Sequence, residues 1–293
     1  MTTNNNGRPA EPATRTEFTV PHRMEFTVVL PGSAEQVWDA IATANGISAW
    51  MTPTDVEERE GGAICFHMGP DMSSEGTITG FDAPHRFAIV EPDWALLVGQ
   101  DRDSVGPMAT EFLIEAQSGG TCVLRVVTSA FGTGADWEQE FFADMTKHWV
   151  PQFDNLRVYL THFAGKRAVS MDVDAQARTT PPAMWATMRR AIGGGRELSV
   201  GDALELRGLT GVVERIDVEP GSNQLVVRVD APVEGFVGFM VWETEADTST
   251  AVVAGKFFSD NAPAYVDQEQ DGWKKWLDGL AAEAVDLARG ATA

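Results

Sequence analysis

The chain has 293 residues, 43% of them hydrophobic, and a formal charge of −21. That length exceeds one ordinary domain, and the acidic excess, 9 Lys and Arg against 23 Asp and Glu in residues 1–165 and 13 against 20 thereafter, would repel a phosphate backbone and excludes nucleic acid as a partner. No apolar run reaches the roughly 20 residues of a membrane span, the polar N-terminus lacks a signal-peptide core, and the two cysteines, Cys65 and Cys122, are too few for a disulfide framework or a thiolate zinc site, so a cytoplasmic protein with free thiols is expected.

Residues 1–17 are polar and aperiodic, as in a disordered tail. Met24, Phe26, Val28 and Leu30 then alternate with Glu25, Thr27 and Val29, which predicts a strand with one core face. Pro31-Gly32 ends it. Ser33 stands three residues before Gln36, a capping-box spacing, and Val37, Trp38 and Ile41 begin a short amphipathic helix that Asn45-Gly46 should break; a second short turn ends in Trp50. Segments near 56–60, 63–68, 75–81, 86–91, 109–116 and 121–128 read as strands of an antiparallel meander, separated by Gly61-Gly62, Gly69-Pro70, Asp82-Ala83-Pro84 and Ser118-Gly119-Gly120. Residues 92–108 read as a loop over the mouth of whatever the sheet encloses.

The stretch from Trp137 to Phe163 closes this half. Phe142, Met145, Trp149, Phe153, Leu156, Leu160 and Phe163 recur in steps of three and four, the pattern of one helical face. Pro151 has no amide donor, so the long helix is expected to begin near Lys147, after a shorter piece. Strands followed by a long helix define an α+β architecture, a curved sheet wrapped on its C-terminal helix.

The second half repeats the first. Trp149, Phe153, Asp154 and Leu156 match Trp273, Leu277, Asp278 and Leu280; Val37-Trp38 matches Met184-Trp185; Gly76-Thr77-Ile78 matches Gly211-Val212-Val213; Val126-Val127 with Phe131 matches Val252-Val253 with Phe257. Two tandem domains are therefore expected, at 18–165 and 166–293. The second is reduced, with Gly193-Gly194-Gly195 in place of the second short helix and a short first strand at Val169–Val173. Its shorter loops predict a smaller or filled cavity. The two copies are expected to pack side by side, through faces outside their long helices, as a pseudo-symmetric pair.

The ordered set Ser33-Ala34-Glu35-Gln36-Val37-Trp38, Trp50, Gly61-Gly62, Gly76, Pro84, Gly120-Thr121 and the helix around Trp149 resembles the SRPBCC (START-related, birch-pollen-allergen-like) superfamily. Within it, the set is similar to the branch of the C-terminal domain of the activator of the heat-shock protein 90 ATPase. The resemblance covers residues 24–163, and more loosely 169–288 through Trp185 and the Trp273 helix. It implies a helix-grip fold with a cavity between sheet and long helix, and it names no single reaction, because carriers, cyclases, hydrolases and co-chaperone modules share the fold. The co-chaperone's own N-terminal domain has no counterpart here.

Strand parity points Phe26, Phe66, Met68, Ile78, Phe87, Ile89, Phe112, Ile114 and Leu124 toward Trp149 and Phe153, and these form the expected ligand-binding set, with Trp94 as a lid aromatic. Glu91 continues the inward parity of Phe87 and Ile89, Asp93 follows Pro92, and His148 precedes Trp149; these three are the catalytic candidates, because an acid against an apolar wall holds its proton more tightly. Parity sends His67 and Cys65 the other way. No paired histidines, His-Glu-x-x-His or phosphate-loop glycine frame occurs, so neither a metal nor a cofactor is expected. The function expected is binding of a small apolar or amphipathic molecule by the first copy, which the second stabilises or regulates. The alternatives are a cyclase- or hydrolase-type enzyme using Glu91, Asp93 or His148, and a co-chaperone-like module that takes a basic protein partner on its acidic surface.

Overall fold

A computed structural model describes residues 18–69, 72–216 and 223–291, without the side chains of residues 147, 148, 150, 151 and 291. The expected N-terminal tail lies outside the described residues. The first domain comprises β1 (Val20–Pro31), α1 (Ala34–Ala42), α2 (Ala44–Trp50), β2 (Thr54–Val56), β3 (Ala63–Gly69), β4 (Met72–Asp82), β5 (Arg86–Glu91), β6 (Met108–Gln117), β7 (Thr121–Gly132) and α3 (Asp136–His162). Its seven strands pair in the order β1-β7-β6-β5-β4-β3-β2, all antiparallel. The meander closes on β1, as short turns between consecutive strands require.

Local chemistry accounts for most boundaries. The capping box forms: Gln36 N donates to Ser33 Oγ at 3.3 Å and Ser33 N to Gln36 Oε1 at 2.9 Å. The helix break falls at Thr43 rather than at Asn45-Gly46. Thr43 Oγ1 accepts from Gly46 N at 3.0 Å and caps α2, and Gly46 rests against the Asp39 carbonyl where a Cβ would collide. The glycine there serves close helix packing. The acidic stretch after β2 is a turn, not strand 56–60, with Arg59 Nη2 donating to Glu57 Oε2 at 2.7 Å.

The long helix is continuous and starts at Asp136, well before Lys147, running on through Pro151. Its first turn is fastened from outside, which propensity does not reveal. Glu138, fully buried, accepts from Thr133 N at 2.9 Å, Thr133 Oγ1 at 2.8 Å and Gly134 N at 2.9 Å, and lies 2.7 Å from His22 Nε2 of β1. Burial opposes its charge, but the Thr133, Gly134 and His22 hydrogen bonds outweigh burial and hold its carboxyl down to about 2.

After a turn at 163–168, the second domain comprises β8 (Val169–Ala177), α4 (Pro181–Gly193), β9 (Ala203–Leu206), β10 (Leu209–Ile216), β11 (Gln224–Ala231), β12 (Gly235–Glu245), β13 (Thr248–Phe257) and α5 (Ala262–Ala291). Its sheet order, β8-β13-β12-β11-β10-β9, is that of the first sheet with one edge strand fewer. The fold is thus tandem helix-grip domains. Gly76 of β4 and Gly211 of β10 occupy matching places, each with its Cα against a carbonyl of the next strand, Val90 or Arg228. The first strand is longer than expected, and Gly194 closes α4 as a left-handed C-cap with φ 59°.

The domains do not meet as a symmetric pair. The back of α3 and its exit lie on the outer face of the second sheet, so the two domains offer different surfaces to one contact, a heterologous arrangement. Phe163 stacks on Phe258 with centroids 4.3 Å apart, Tyr159 approaches the same ring, and Phe236 and Val226 of the second sheet join the first domain's core. Lys166 reaches Glu234 at 2.8 Å, Arg167 reaches Asn45, and Arg215 lies 3.4 Å from Asp154. The pseudo-symmetric arrangement fails because α3 and its exit pack on the second sheet, burying Val226 and Phe236 of its outer face.

Candidate functional site

A cavity of about 540 Å³ opens between the first sheet and the N-terminal half of α3. The helix contributes Trp137, Phe141, Met145 and Trp149, four residues apart each time and hence one above another along the axis. The sheet contributes Phe66 and Met68 of β3, Met72 of β4, Glu91 of β5 and Met108 of β6. Met51, Leu97 and Val98 complete the apolar wall. Five of these are methionines, whose unbranched, polarisable side chains adapt to a ligand's shape.

Glu91 is the buried polar group of this wall, only 5% exposed. Ser74 Oγ donates to its Oε1, and no cation pairs with it among the described residues. Burial pushes its carboxyl above the ordinary range, while the Ser74 hydroxyl pulls it part of the way back. Space for the side chain comes from Gly76, where an added Cβ would lie 3.2 Å from Glu91 Cγ. Glu140, Asp144 and Gln100 form a polar rim, and Met68, Met72 and Val98 leave apolar surface at the mouth, each about two-fifths exposed.

The segment 92–108 forms two 3-10 turns, Trp94–Val98 and Arg102–Ser104. Trp94 is not a lid aromatic over the cavity. Fully buried, it donates from Nε1 to Gly106 O at 2.9 Å and packs on Phe141 at 4.7 Å and on Trp137 and Phe142 at 5.9 Å, anchoring the turn that carries Leu97 and Val98. Asp93 does not line the cavity and pairs with Arg102 at 3.0 Å. His148 lies within α3, and its side chain is outside the described residues.

Of the expected binding set, Phe66, Met68 and Trp149 line the cavity and are brought together with Glu91. Phe26, Ile78, Phe87, Ile89, Phe112, Ile114, Leu124 and Phe153 instead belong to the packed core. Their parity is inward, but α1 and α2 fill that end of the grip. Trp38 packs edge-on to Phe87, and Trp50 and Phe26 close on Phe153 at 5.3 and 5.0 Å. Sequence reasoning missed Met51, Met72, Leu97, Val98, Met108, Trp137, Phe141 and Ser74. The repeat Trp137-Phe141-Met145-Trp149 was a readable signal for part of that list; it marks a second apolar stripe on α3, beside the core-facing one.

Between the second sheet and its long helix the described residues leave little space. Trp273, equivalent to Trp149, is wholly buried against Phe239 and Trp276, and the space by Leu204, Leu209 and Phe239 is about 10 Å³, no more than a single water requires. Among the described residues no group of three or more potential metal ligands occurs, and no helix is long and apolar enough to cross a membrane.

Residues 31–161 match the family model of the Activator of Hsp90 ATPase homolog 1-like protein. The match lies within the first domain, the part of the chain whose motifs resemble the SRPBCC superfamily. No curated protein matches the chain significantly. Similar solved structures include the di-domain ARO/CYC protein BexL from the BE-7585A biosynthetic pathway, 14% identical over 90% of this chain and 98% of its own with a TM-score of 0.41. DynU16, of the dynemicin biosynthetic locus, is 13% identical over 92% and 99% with a TM-score of 0.40. Aha1 from Colwellia psychrerythraea, solved as a dimer, is 17% identical over 47% and 96% with a TM-score of 0.39.

Proposed function

We propose that this tandem helix-grip chain binds a small apolar or amphipathic molecule in its first domain, with Glu91 as the polar group that orients it. The observation that carries this reading is one enclosed acid in the wall of an aromatic and methionine-lined cavity of about 540 Å³, inside the roughly 300–1,000 Å³ range of small-molecule sites. Each 100 Å² of apolar ligand surface buried there contributes about 2.5 kcal/mol before association costs. A protonated Glu91 carboxyl offers one O–H donor, and it has an oxygen that accepts from Ser74. A ligand with a carbonyl or hydroxyl oxygen inside an otherwise apolar body fits both.

The test is native mass spectrometry of the chain purified from its own host, together with uptake of N-phenyl-1-naphthylamine, a neutral fluorescent dye. Met145→Trp, which fills the cavity from the helix side, is expected to cut uptake at least tenfold without loss of helix content. Absence of both a bound molecule and dye uptake in the unaltered chain sinks the reading.

A second reading is acid–base chemistry on the bound molecule, of cyclase or hydrolase type. It is favoured by the same raised proton affinity of Glu91, a shift in the direction that a general acid needs. Asp93, paired with Arg102 outside the cavity, does not share the task. On this reading Glu91→Gln abolishes turnover and retains binding; loss of binding in parallel with turnover refutes it.

A further inference from the structure

A larger cavity, of about 770 Å³, lies between the two domains. Its floor is the outer face of the second sheet, where cross-strand register sets Ser170, Lys256 and Phe236 in one rank, Asp172, Ala254 and Gly238 in the next, and Asp174, Val252 and Met240 in the third. The middle rank is made of small residues. A Cβ added at Gly238 would meet nothing nearer than 3.8 Å, so the sheet is hollowed between Phe236 and Met240. The roof comes from the first domain through Trp50, Pro53, Gln152 and Asn155.

Two polar groups facing this space have hydrogen-bonding capacity left unused among the described residues. Lys256 is 4% exposed, and its Nζ donates to Ser170 Oγ at 2.8 Å, its one hydrogen bond among the described residues. An ammonium has three donors, and no carboxylate lies within ion-pair distance of this one among the described residues. Across the cavity, Asn155 Nδ2 donates to Gln152 Oε1 at 2.9 Å while its Oδ1 is buried with no partner. Buried polar groups are almost always satisfied, and an uncompensated buried charge is costlier still. Burial lowers the proton affinity of the Lys256 amine and Asp172 partly restores it. Asp174 also faces the cavity, and His67 at the rim is engaged with Asp55 at 2.8 Å.

We propose that the interdomain cavity is a second ligand site, taking an apolar, ring-containing acid whose anionic end meets Lys256 and whose hydroxyl or N–H donates to Asn155. The site shares Met51 and Met68 with the first-domain cavity, and its polar groups are its own. It therefore stands or falls independently of the function proposed above.

The experiment titrates the full chain with 1-anilinonaphthalene-8-sulfonate and with N-phenyl-1-naphthylamine, dyes that differ only by the sulfonate. Lys256→Met is expected to weaken sulfonate binding about tenfold, the loss of one charged hydrogen bond, and to leave the neutral dye within twofold. Asp172→Asn removes a competing carboxylate and is expected to strengthen the sulfonate several-fold. Gly238→Leu fills the hollow and is expected to remove the Lys256-dependent component of binding. Equal sulfonate affinity in the unaltered chain and in K256M, or a D172N protein that binds it no better, overturns the proposal. A loosened fold also takes up this dye, so the gain in D172N counts only with an unchanged urea midpoint and neutral-dye affinity, and a gain that the neutral dye shares overturns the proposal.

Discussion

Glu91→Gln keeps the shape of the side chain and an oxygen able to accept from Ser74, while removing the charge that forms when the carboxyl ionises. In the unfolded chain this carboxyl titrates near 4.5, and in the folded protein burial moves it upward. Between those two values the native state holds a proton that the unfolded state has released, so stability falls as pH rises, by about 1.4 kcal/mol for each pH unit. Below 4.5 both states are protonated and the substitution is neutral. Above the folded value the difference is constant, and E91Q exceeds the unaltered protein by the full amount. Urea denaturation of both proteins at pH 4, 5, 6, 7 and 8 reads this directly, since every other titrating group cancels in the difference. A gap that opens above pH 4.5 and then levels is the expected result, and the levelling pH gives Glu91's folded proton affinity. A gap that is flat with pH, or a glutamine variant less stable throughout, refutes the claim that Glu91 is a buried acid held without a counter-charge. A stabilised variant that loses its ligand would show that the acid is kept for function at the expense of stability.

Glu138→Gln is expected to cost about 3 kcal/mol near neutral pH, because it breaks the charged hydrogen bonds from Thr133, Gly134 and His22. With its folded carboxyl held to about 2, Glu138 stabilises fully above 4.5 and loses that contribution as pH falls toward 2, so the acid limb of the urea-midpoint curve should flatten in the variant. Trp94→Phe removes the bond to the Gly106 carbonyl; a loss of about 1 kcal/mol, with faster amide exchange confined to residues 94–106, is expected. Phe258→Ala empties the ring that stacks on Phe163 and should cost about 3–4 kcal/mol. Calorimetry should then resolve two transitions where the unaltered chain shows one.

The sequence revealed the repeat through pairs such as Trp149 and Trp273, and the meander through alternation in β1, β3 and β5, because both signals are local or periodic. Parity also grouped Phe26, Phe66 and Phe87 of the first domain, which share one face of its sheet. It could not tell a filled interior from a hollow one. Phe87 and Phe66 share the same inward pattern, yet Trp38 covers Phe87, while Phe66 opens on the cavity. That difference is set by where α1 and α2 lie, which is a tertiary fact. The start of α3 was misplaced for the same reason: Glu138 is secured by a histidine more than a hundred residues earlier. Lys256 gave no signal at all, since a lone lysine in a strand reads as solvated until a second domain covers it.

The unlike surfaces used by the two domains have a consequence for assembly. A head-to-tail contact does not close on itself, and its two open ends are the back of α5 and the outer face of the first sheet. That face is ruled by charge: Arg125 reaches Glu25 at 2.6 Å, Arg23 reaches the same carboxylate at 2.6 Å, and Arg86 meets Glu111 at 2.6 Å. Docking a greasy helix there would strip water from five ionised groups without replacing it. Those ion pairs oppose any continuation, through that face, of the contact that joins the two halves.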